Sequence, residues 1–140
     1  MGKINMGRVI IGGLVAGIVA DLLGFLVDGV LLAPQWADGM QKLGHGAFST
    51  PSWIAFNMLG LISGIVAIWI YAGIRPRFGA GVGTAVRAGI AVWLVGIMVP
   101  NFSFMWAAHL FPQQLTILTT AGGLVECIVG VIAGAAVYNE

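Results

Sequence analysis

Apolar residues in this chain occur in four long stretches, and polar or glycine-rich segments separate one stretch from the next. The stretches cover about residues 8–33, 53–74, 84–110 and 114–138. Each one reaches the roughly 20 mostly apolar residues that an α-helix needs to cross a bilayer. The intervening segments are too short for a separate soluble domain. The pattern therefore predicts a single all-α domain, an integral membrane four-helix bundle.

Composition narrows the class of protein further. Charged residues make up 8% and hydrophobic residues 59% of the 140 positions, whereas soluble domains carry about 25% charged residues. A soluble domain of this length could not bury so much apolar surface. A net charge of +1 without a basic stripe argues against nucleic-acid binding. With one cysteine and two histidines, neither a disulfide framework nor a metal site is expected, and the lipid bilayer is the first predicted partner.

Charge placement predicts how the chain is oriented. If the spans alternate in direction, five of the six Lys and Arg residues lie on one side of the membrane: Lys3, Arg8, Arg75, Arg77 and Arg87. Cytoplasmic loops carry an excess of Lys and Arg. We therefore predict cytoplasmic termini and a multi-pass protein of the bacterial inner membrane. The first apolar run, about 25 residues long, exceeds the 7–15 residues of a signal-peptide core, so we expect a permanent helix.

Three acidic residues fall inside the predicted spans, Asp21 and Asp28 in the first and Glu126 in the fourth. A charged side chain at the centre of a membrane helix costs about 2.5–3.5 kcal/mol on insertion scales, so such residues usually face the protein interior. The sequence therefore predicts that these acids point away from lipid.

Small residues surround the acids at helical spacing, which lets helix backbones approach closely. The two stripes are Gly13, Gly17, Asp21, Gly24 and Asp28 in the first span, and Thr119, Gly122, Glu126, Gly130 and Gly134 in the fourth. We predict that the first and fourth spans pack through these stripes. Gly60 and Gly64 form a similar face on the second span, which we expect to contact another copy of the chain or a partner.

Asp21 and Glu126 are predicted to lie at similar depths. At a rise of 1.5 Å per residue, Asp21 lies about 20 Å along its helix from Arg8, and Glu126 about 18 Å from Tyr138. We expect the two carboxyl groups to face each other or a shared polar cavity, where burial and repulsion keep a proton on at least one. Such a pair can carry a proton or coordinate a cation. Asp28, near the outer end of its span, is expected to be hydrated.

Two other interpretations of these acids remain open. Each acid can be protonated and hydrogen-bonded to Thr119, Thr120 or a backbone carbonyl, so that it stabilises helix packing and nothing more. Alternatively, the polar interior can bind a lipid or a hydrophobic cofactor.

Polar residues of the second and third spans predict a further pocket near the outer surface. Pro100 removes a backbone hydrogen bond and should kink its helix, and Asn101 follows it directly. Asn57 lies at a similar depth in the second span. The two asparagines can pair with each other, or Asn101 can bond to another neighbouring helix.

Two more residues carry candidate chemistry. Arg87 either extends to the cytoplasmic interface or forms an ion pair with Glu126. His109, at the outer end of the third span, is placed in the predicted polar pocket. No cofactor is predicted, and haem or pigment ligation by His109 is the alternative. Between the first two spans, the spacing of Trp36, Met40 and Leu43 predicts a short helix on the membrane surface.

The end of the first span resembles a motif of a known family. The stretch Gly29-Val30-Leu31-Leu32-Ala33-Pro34, followed by Trp36, is similar to a motif in a family of small four-helix bacterial membrane proteins of unknown function. The chain length and the four-span layout are similar too. That family usually has an aromatic pair before the proline, where this chain has aliphatic residues. The resemblance implies the four-helix membrane fold and brings no catalytic residues.

Two classes of function follow from these features. The first is a small oligomeric transporter or channel in which Asp21 and Glu126 handle a proton or an ion. The second is a non-catalytic accessory subunit that packs against a larger membrane complex, with the glycine stripes serving assembly. No residue resembles an activated nucleophile, so we expect no enzyme activity.

Overall fold

The computed structural model describes residues 3–139, and within them helices form most of the chain and no strand is present. The α-helices are α1 (Met6–Gly24), α2 (Ala33–Lys42), α3 (Thr50–Phe78), α4 (Val82–Trp93) and α5 (Gln113–Val137). π-Helical turns follow α1 over Phe25–Leu31 and follow α4 over Leu94–Met98 and Asn101–Ala107. The all-α prediction is confirmed.

In the described part of the chain, four helical runs are long and apolar enough to cross a membrane: Met6–Leu31, Thr50–Phe78, Val82–Ala107 and Gln113–Val137. They match the four apolar stretches, with their ends shifted by a few residues. The sequence pattern places the end of the second near residue 74, but α3 continues through Pro76 to Phe78. The missing amide hydrogen of Pro76 removes a single backbone bond, and Gly79 N–H still donates to the Arg75 carbonyl at 2.8 Å.

Neighbouring long helices run antiparallel. Gly13 of α1 faces Ile65 of α3 and Gly17 faces Leu61, so residue numbers rise along one helix as they fall along the other. α1 packs most extensively against α3 and α5, and α4 packs against α5 and α3; α1 and α4 therefore lie diagonally across the bundle. The end where α1 begins, here called the basic end, holds Lys3, Arg8, Arg75, Arg77 and Arg87. The opposite end, which carries α2, is called the α2 end.

Glycines bring α1 and α3 into backbone contact near the basic end. A side chain at Gly13 would overlap the backbone of Ile65, and one at Gly64 would overlap the backbones of Gly13 and Gly17. The first-span stripe divides between two helices: Gly13, Gly17 and Asp21 pack on α3, where the prediction is wrong. Gly24 and Asp28 contact Glu126 and Thr119 of the fourth-span stripe, as predicted. The expectation that Gly60 and Gly64 contact another copy is also wrong, because both face α1 within the same chain.

A different face of α1 packs on α5. A Cβ added at Gly12 would lie 2.7 Å from the carbonyl oxygen of Gly134, and one at Gly130 would lie 2.7 Å from that of Ala16. Adjacent positions on a helix point about 100° apart. The neighbouring residues Gly12 and Gly13 therefore give α1 two close-packing faces, one for each partner helix.

Apolar side chains divide between a narrow core and a broad outer surface. The main core lies toward the basic end and includes Val9, Ile68, Tyr71, Ala85, Val131 and Tyr138. Large apolar side chains elsewhere point outward, with Leu31 72% and Val95 76% exposed. Exposed apolar surface on this scale marks contact with a membrane or with other proteins.

The predicted short helix between the first two spans is present as α2. Leu32 N–H donates to the Val27 carbonyl at 2.8 Å, and Trp36 N–H donates to the Leu32 carbonyl at 3.0 Å. The chain thus passes from the π-helical end of the first span directly into α2. Trp36 and Met40 of α2 face the interior of the bundle, so this helix covers what lies beneath it.

Candidate functional site

A cavity of about 850 Å³ lies between α1, α3 and α5, beneath α2. Phe48, in the segment that follows α2, helps to cover it, and Val92 and Ile97 contribute to its wall. The cavity is lined by all three acidic residues of the spans, Asp21, Asp28 and Glu126. We call it the acidic cavity. Its wall includes both carboxyl groups that the sequence places at one depth.

Asp21 and Glu126 each lie opposite a glycine of a neighbouring helix. The Asp21 carboxylate lies over Gly60 of α3 and leaves no room for a Cβ there. Glu126 of α5 lies over Gly24, where a Cβ would be 3.2 Å from Oε2. Glycine at these two positions therefore makes the space that the carboxyl groups occupy.

The surroundings of Glu126 disfavour a negative charge on its carboxyl group. Asp21 and Asp28 line the same cavity as Glu126, so negative charges on these acids would repel one another. Its Oε1 atom is buried and has no hydrogen-bond partner within residues 3–139. A buried acceptor without a donor is costly, so this oxygen is suited to a proton or to a cationic ligand.

Asp28 is held by two hydrogen bonds from other helices. Its Oδ1 atom accepts from Trp36 Nε1 at 3.0 Å and from Thr119 Oγ1 at 2.6 Å. The sequence pattern instead predicts a hydrated Asp28 and groups Thr119 with Glu126. The difference arises because α2 folds back over the end of the first span and because Thr119 lies two turns before Glu126 on α5. Asp28 thus joins the first span to α2 and α5.

The two asparagines of the predicted polar pocket do not pair. Asn57 Nδ2 donates to the Trp53 carbonyl of its own helix at 2.7 Å, although Asn57 also lines the acidic cavity. Asn101 Nδ2 donates to Thr120 Oγ1 at 3.1 Å and so connects the third long helix to α5. π-Helical turns flank Pro100, and Asn101 is the first residue of the second turn. Of the two alternatives for Asn101, the structure shows the bond to a neighbouring helix.

His109 and Arg87 lie outside the acidic cavity. His109 has a left-handed backbone conformation, with φ of 57°, after the end of the third long helix. It lines a separate, smaller cavity with Trp106 and Gln113. The guanidinium carbon of Arg87 lies 4.9 Å from the ring centre of Phe78 near the basic end. Because Arg87 lies over Phe78, it forms no ion pair with Glu126 in the described part of the chain, and that alternative is wrong.

Aromatic side chains form the cover of the acidic cavity. The ring centre of Phe48 lies 6.2 Å from Trp36, 5.9 Å from Trp53 and 5.3 Å from Phe56. All four rings line the cavity. Phe48 has no part in the sequence-based prediction, although its position between small and polar residues of the connecting segment is a signal that the sequence offers.

The charge of the acidic cavity is unbalanced, and its acids are dispersed. Among the described residues that line it there is no Lys or Arg. Within residues 3–139, no three His, Cys, Asp or Glu side chains converge closely enough to hold a metal ion. The arrangement therefore provides negative charge spread over an apolar wall. Such a wall can accept protons or attract a cationic molecule, but its acids do not form a compact ligand shell.

Comparison of the chain with known proteins finds no matching family model, curated protein or solved structure. The resemblance to small four-helix bacterial membrane proteins stays a prediction. The geometry and charge of the acidic cavity are therefore what points to a function.

Proposed function

We propose that this protein is a small membrane transporter that carries protons or cations through the acidic cavity. The observation that carries this proposal is that all three acids of the spans line one cavity, to which no Lys or Arg of the described residues contributes. Acids inside a membrane are costly and usually mark ion or proton pathways. Acids needed only for helix packing would not have to share an internal space.

The proposed placement has the four long helices crossing the bacterial inner membrane with both termini in the cytoplasm. The clustering of Arg75, Arg77 and Arg87 with Lys3 at one end supports this orientation, because cytoplasmic segments are enriched in Lys and Arg. The α2 end then faces away from the cytoplasm. The acidic cavity lies nearer that outer side and is covered by α2.

The packing near the basic end favours a transporter cycle over an open channel. Gly13, Gly17 and Gly64 bring the α1 and α3 backbones into direct contact there, and Gly12 does the same with Gly134 of α5. A permanent pore has no room between such backbones. Passage to the cytoplasm would require these contacts to open, either within one copy or by movement against another copy in an oligomer.

The test is ion flux into liposomes that contain the purified full-length protein, read by a pH-sensitive dye inside the vesicles under an imposed membrane potential. We expect Glu126→Gln and Asp21→Asn each to reduce the initial rate by at least about tenfold, equivalent to about 1.4 kcal/mol. Circular dichroism and the elution volume should stay unchanged. The matched control is Asp38→Asn, because Asp38 pairs with Lys42 at 2.7 Å on the exposed side of α2.

Two results would contradict the proposal. One is equal flux in all three variants and the unaltered protein. The other is an absence of flux together with copurification of a larger membrane complex, which would identify the accessory-subunit alternative. Native mass spectrometry of protein taken from its own membrane in mild detergent distinguishes a homo-oligomer from such a complex.

A further inference from the structure

We propose that the cargo of the acidic cavity is an organic cation with an apolar body, such as a hydrophobic amine or a quaternary onium ion. This inference rests on the proposed function and specifies its substrate class. It follows from a juxtaposition of dispersed carboxyl groups, an apolar wall and a cover of four aromatic rings around one cavity.

The size of the cavity fits a small organic molecule. Its volume of about 850 Å³ lies within the roughly 300–1,000 Å³ that is usual for small-molecule sites. A water molecule, by contrast, occupies only about 30 Å³ of liquid. A site that served only protons or a small inorganic ion would not need so large a space with an apolar wall.

The composition of the wall fits an apolar body. Away from the acids, the surfaces that the four long helices contribute are mainly small or aliphatic, including Ala20, Leu61, Ala67, Val92, Ile97 and Val131. Apolar surface of this kind stabilises a ligand by removing its hydrocarbon groups from water. A strongly hydrated inorganic cation would gain nothing from such a wall.

The placement of the acids fits a diffuse positive charge. Asp21 and Asp28 are seven residues apart, which separates them by about 10 Å along the first span, and Glu126 faces them from α5. Compact cations such as Ca²⁺ require convergent oxygen ligands at short distances, and these acids do not converge. A bulky cation needs no ligand shell, and attraction between charges is stronger in an apolar interior than in water.

The aromatic cover adds a second element of cation recognition. Phe48, Trp53, Phe56 and Trp36 present rings to the cavity, and the faces of such rings attract cations, quaternary ammonium groups in particular. Asp28 already accepts hydrogen bonds from Trp36 and Thr119. Asp21 and Glu126 are therefore the acids we assign to the cation, and Asp28 positions the aromatic cover.

The experiment measures binding of tetraphenylphosphonium to the full-length protein in mild detergent by equilibrium dialysis. Triphenylphosphine oxide is the uncharged probe with a similar aromatic body. We expect saturable binding of the cation and at least about tenfold weaker binding of the uncharged probe. Glu126→Gln and Asp21→Asn should each weaken cation binding by at least about tenfold, whereas Asp38→Asn should leave it unchanged. Phe48→Ala should weaken it severalfold.

The binding comparison is made among variants that keep the helicity and elution volume of the unaltered protein. If Glu126→Gln does not fold, Asp21→Asn tests the role of the acids in its place. Equal binding of the charged and uncharged probes would overturn the inference, since it would identify a site for neutral lipid-like molecules. Absence of cation binding together with Glu126-dependent ion flux would overturn it too, while leaving the proposed transport intact. Acid-dependent cation binding without any flux would support the binding site and remove the transport proposal.

Discussion

The first span contains two regions of similar composition and opposite packing. Near the basic end, Gly12 and Gly13 bring its backbone against those of α5 and α3. In the half nearer α2, Gly24 is opposite the side chain of Glu126 and the Asp21 carboxylate lies over Gly60. In the first region glycine faces the backbone of another helix, so the helices pack in direct contact. In the second region glycine faces a carboxyl group, so the missing side chain leaves space for that group between the helices.

This comparison shows why the acidic cavity lies where it does. Helices that pack through glycines can approach until their backbones touch. Where an acid replaces the next small residue of the stripe, its side chain occupies the space between the helices. The first span then ends in the π-helical turns of Phe25–Leu31 and passes into α2, so the wider half is covered from above. Substitutions in each of the two regions test whether glycine serves helix contact in one and accommodates a carboxyl group in the other.

The largest effect is expected where backbone faces glycine. Gly64→Ala places a methyl group against the backbones of Gly13 and Gly17, which cannot move independently of their helix. We expect a loss of about 3 kcal/mol in the free energy of unfolding, at the upper end of the usual cost of overpacking. Titration of the protein in mild detergent with sodium dodecyl sulfate measures this loss.

The matched control for that change lies on the same helix. A Cβ added at Gly73 would meet no atom within 4 Å, and alanine has a higher helix propensity than glycine. Gly73→Ala should therefore leave stability unchanged or raise it by up to about 1 kcal/mol. A comparable loss at both positions would show that close packing of α1 on α3 does not distinguish the two glycines.

An intermediate effect is expected at the junction around Asp28. Thr119→Val keeps the shape of the side chain but removes the hydroxyl that donates to Asp28 at 2.6 Å. Hydrogen bonds to charged groups contribute about 1.5–3 kcal/mol, and we expect a loss near 1.5 kcal/mol because Trp36 still donates to the same oxygen. The same detergent titration gives the value.

Thr116→Val is the appropriate control for that junction. Thr116 is also buried on α5, but its hydroxyl donates to the neutral carbonyl of Pro112 in its own chain segment at 3.2 Å. We expect a loss of about 0.5–1 kcal/mol, the usual value for a neutral hydrogen bond. If Thr116→Val cost as much as Thr119→Val, the bond to Asp28 would have no special role in joining the helices.

Most of the helices can be predicted from local features of the sequence. Hydropathy identifies the four long helices, and the spacing of Trp36 and Met40 identifies α2, because both signals arise within one segment. The depth estimate for Asp21 and Glu126 uses only the rise of a helix, and the structure places both at one cavity. These predictions need no knowledge of how one helix is rotated against the next.

Features that depend on helix rotation could not be predicted in this way. The adjacent Gly12 and Gly13 begin two equally regular faces, and spacing does not tell which one meets α3. Arg87 could reach toward Glu126 by depth alone, but it lies over Phe78 near the basic end. The bond from Trp36 to Asp28 requires α2 to fold back over the first span, which no periodic pattern in either segment indicates.

The smallest effect on stability is expected where a carboxyl group faces glycine. Gly60→Ala places a methyl group on the Asp21 carboxylate, as Gly64→Ala does on a backbone. The carboxylate is the end of a side chain beside an open cavity, so it can rotate away. We expect a loss below about 1 kcal/mol, less than the usual cost of overpacking a core, as measured by the same detergent titration.

The same substitution should affect flux more than stability, because the displaced Asp21 carboxylate enters the acidic cavity and changes its shape. We expect the initial rate of ion flux in liposomes to fall severalfold, while the folded fraction stays close to that of the unaltered protein. A stability loss as large as that of Gly64→Ala would contradict this explanation. It would mean that the half of the bundle nearer α2 is as rigid as the half near the basic end, and that glycine at position 60 serves helix contact instead of making room for an acid.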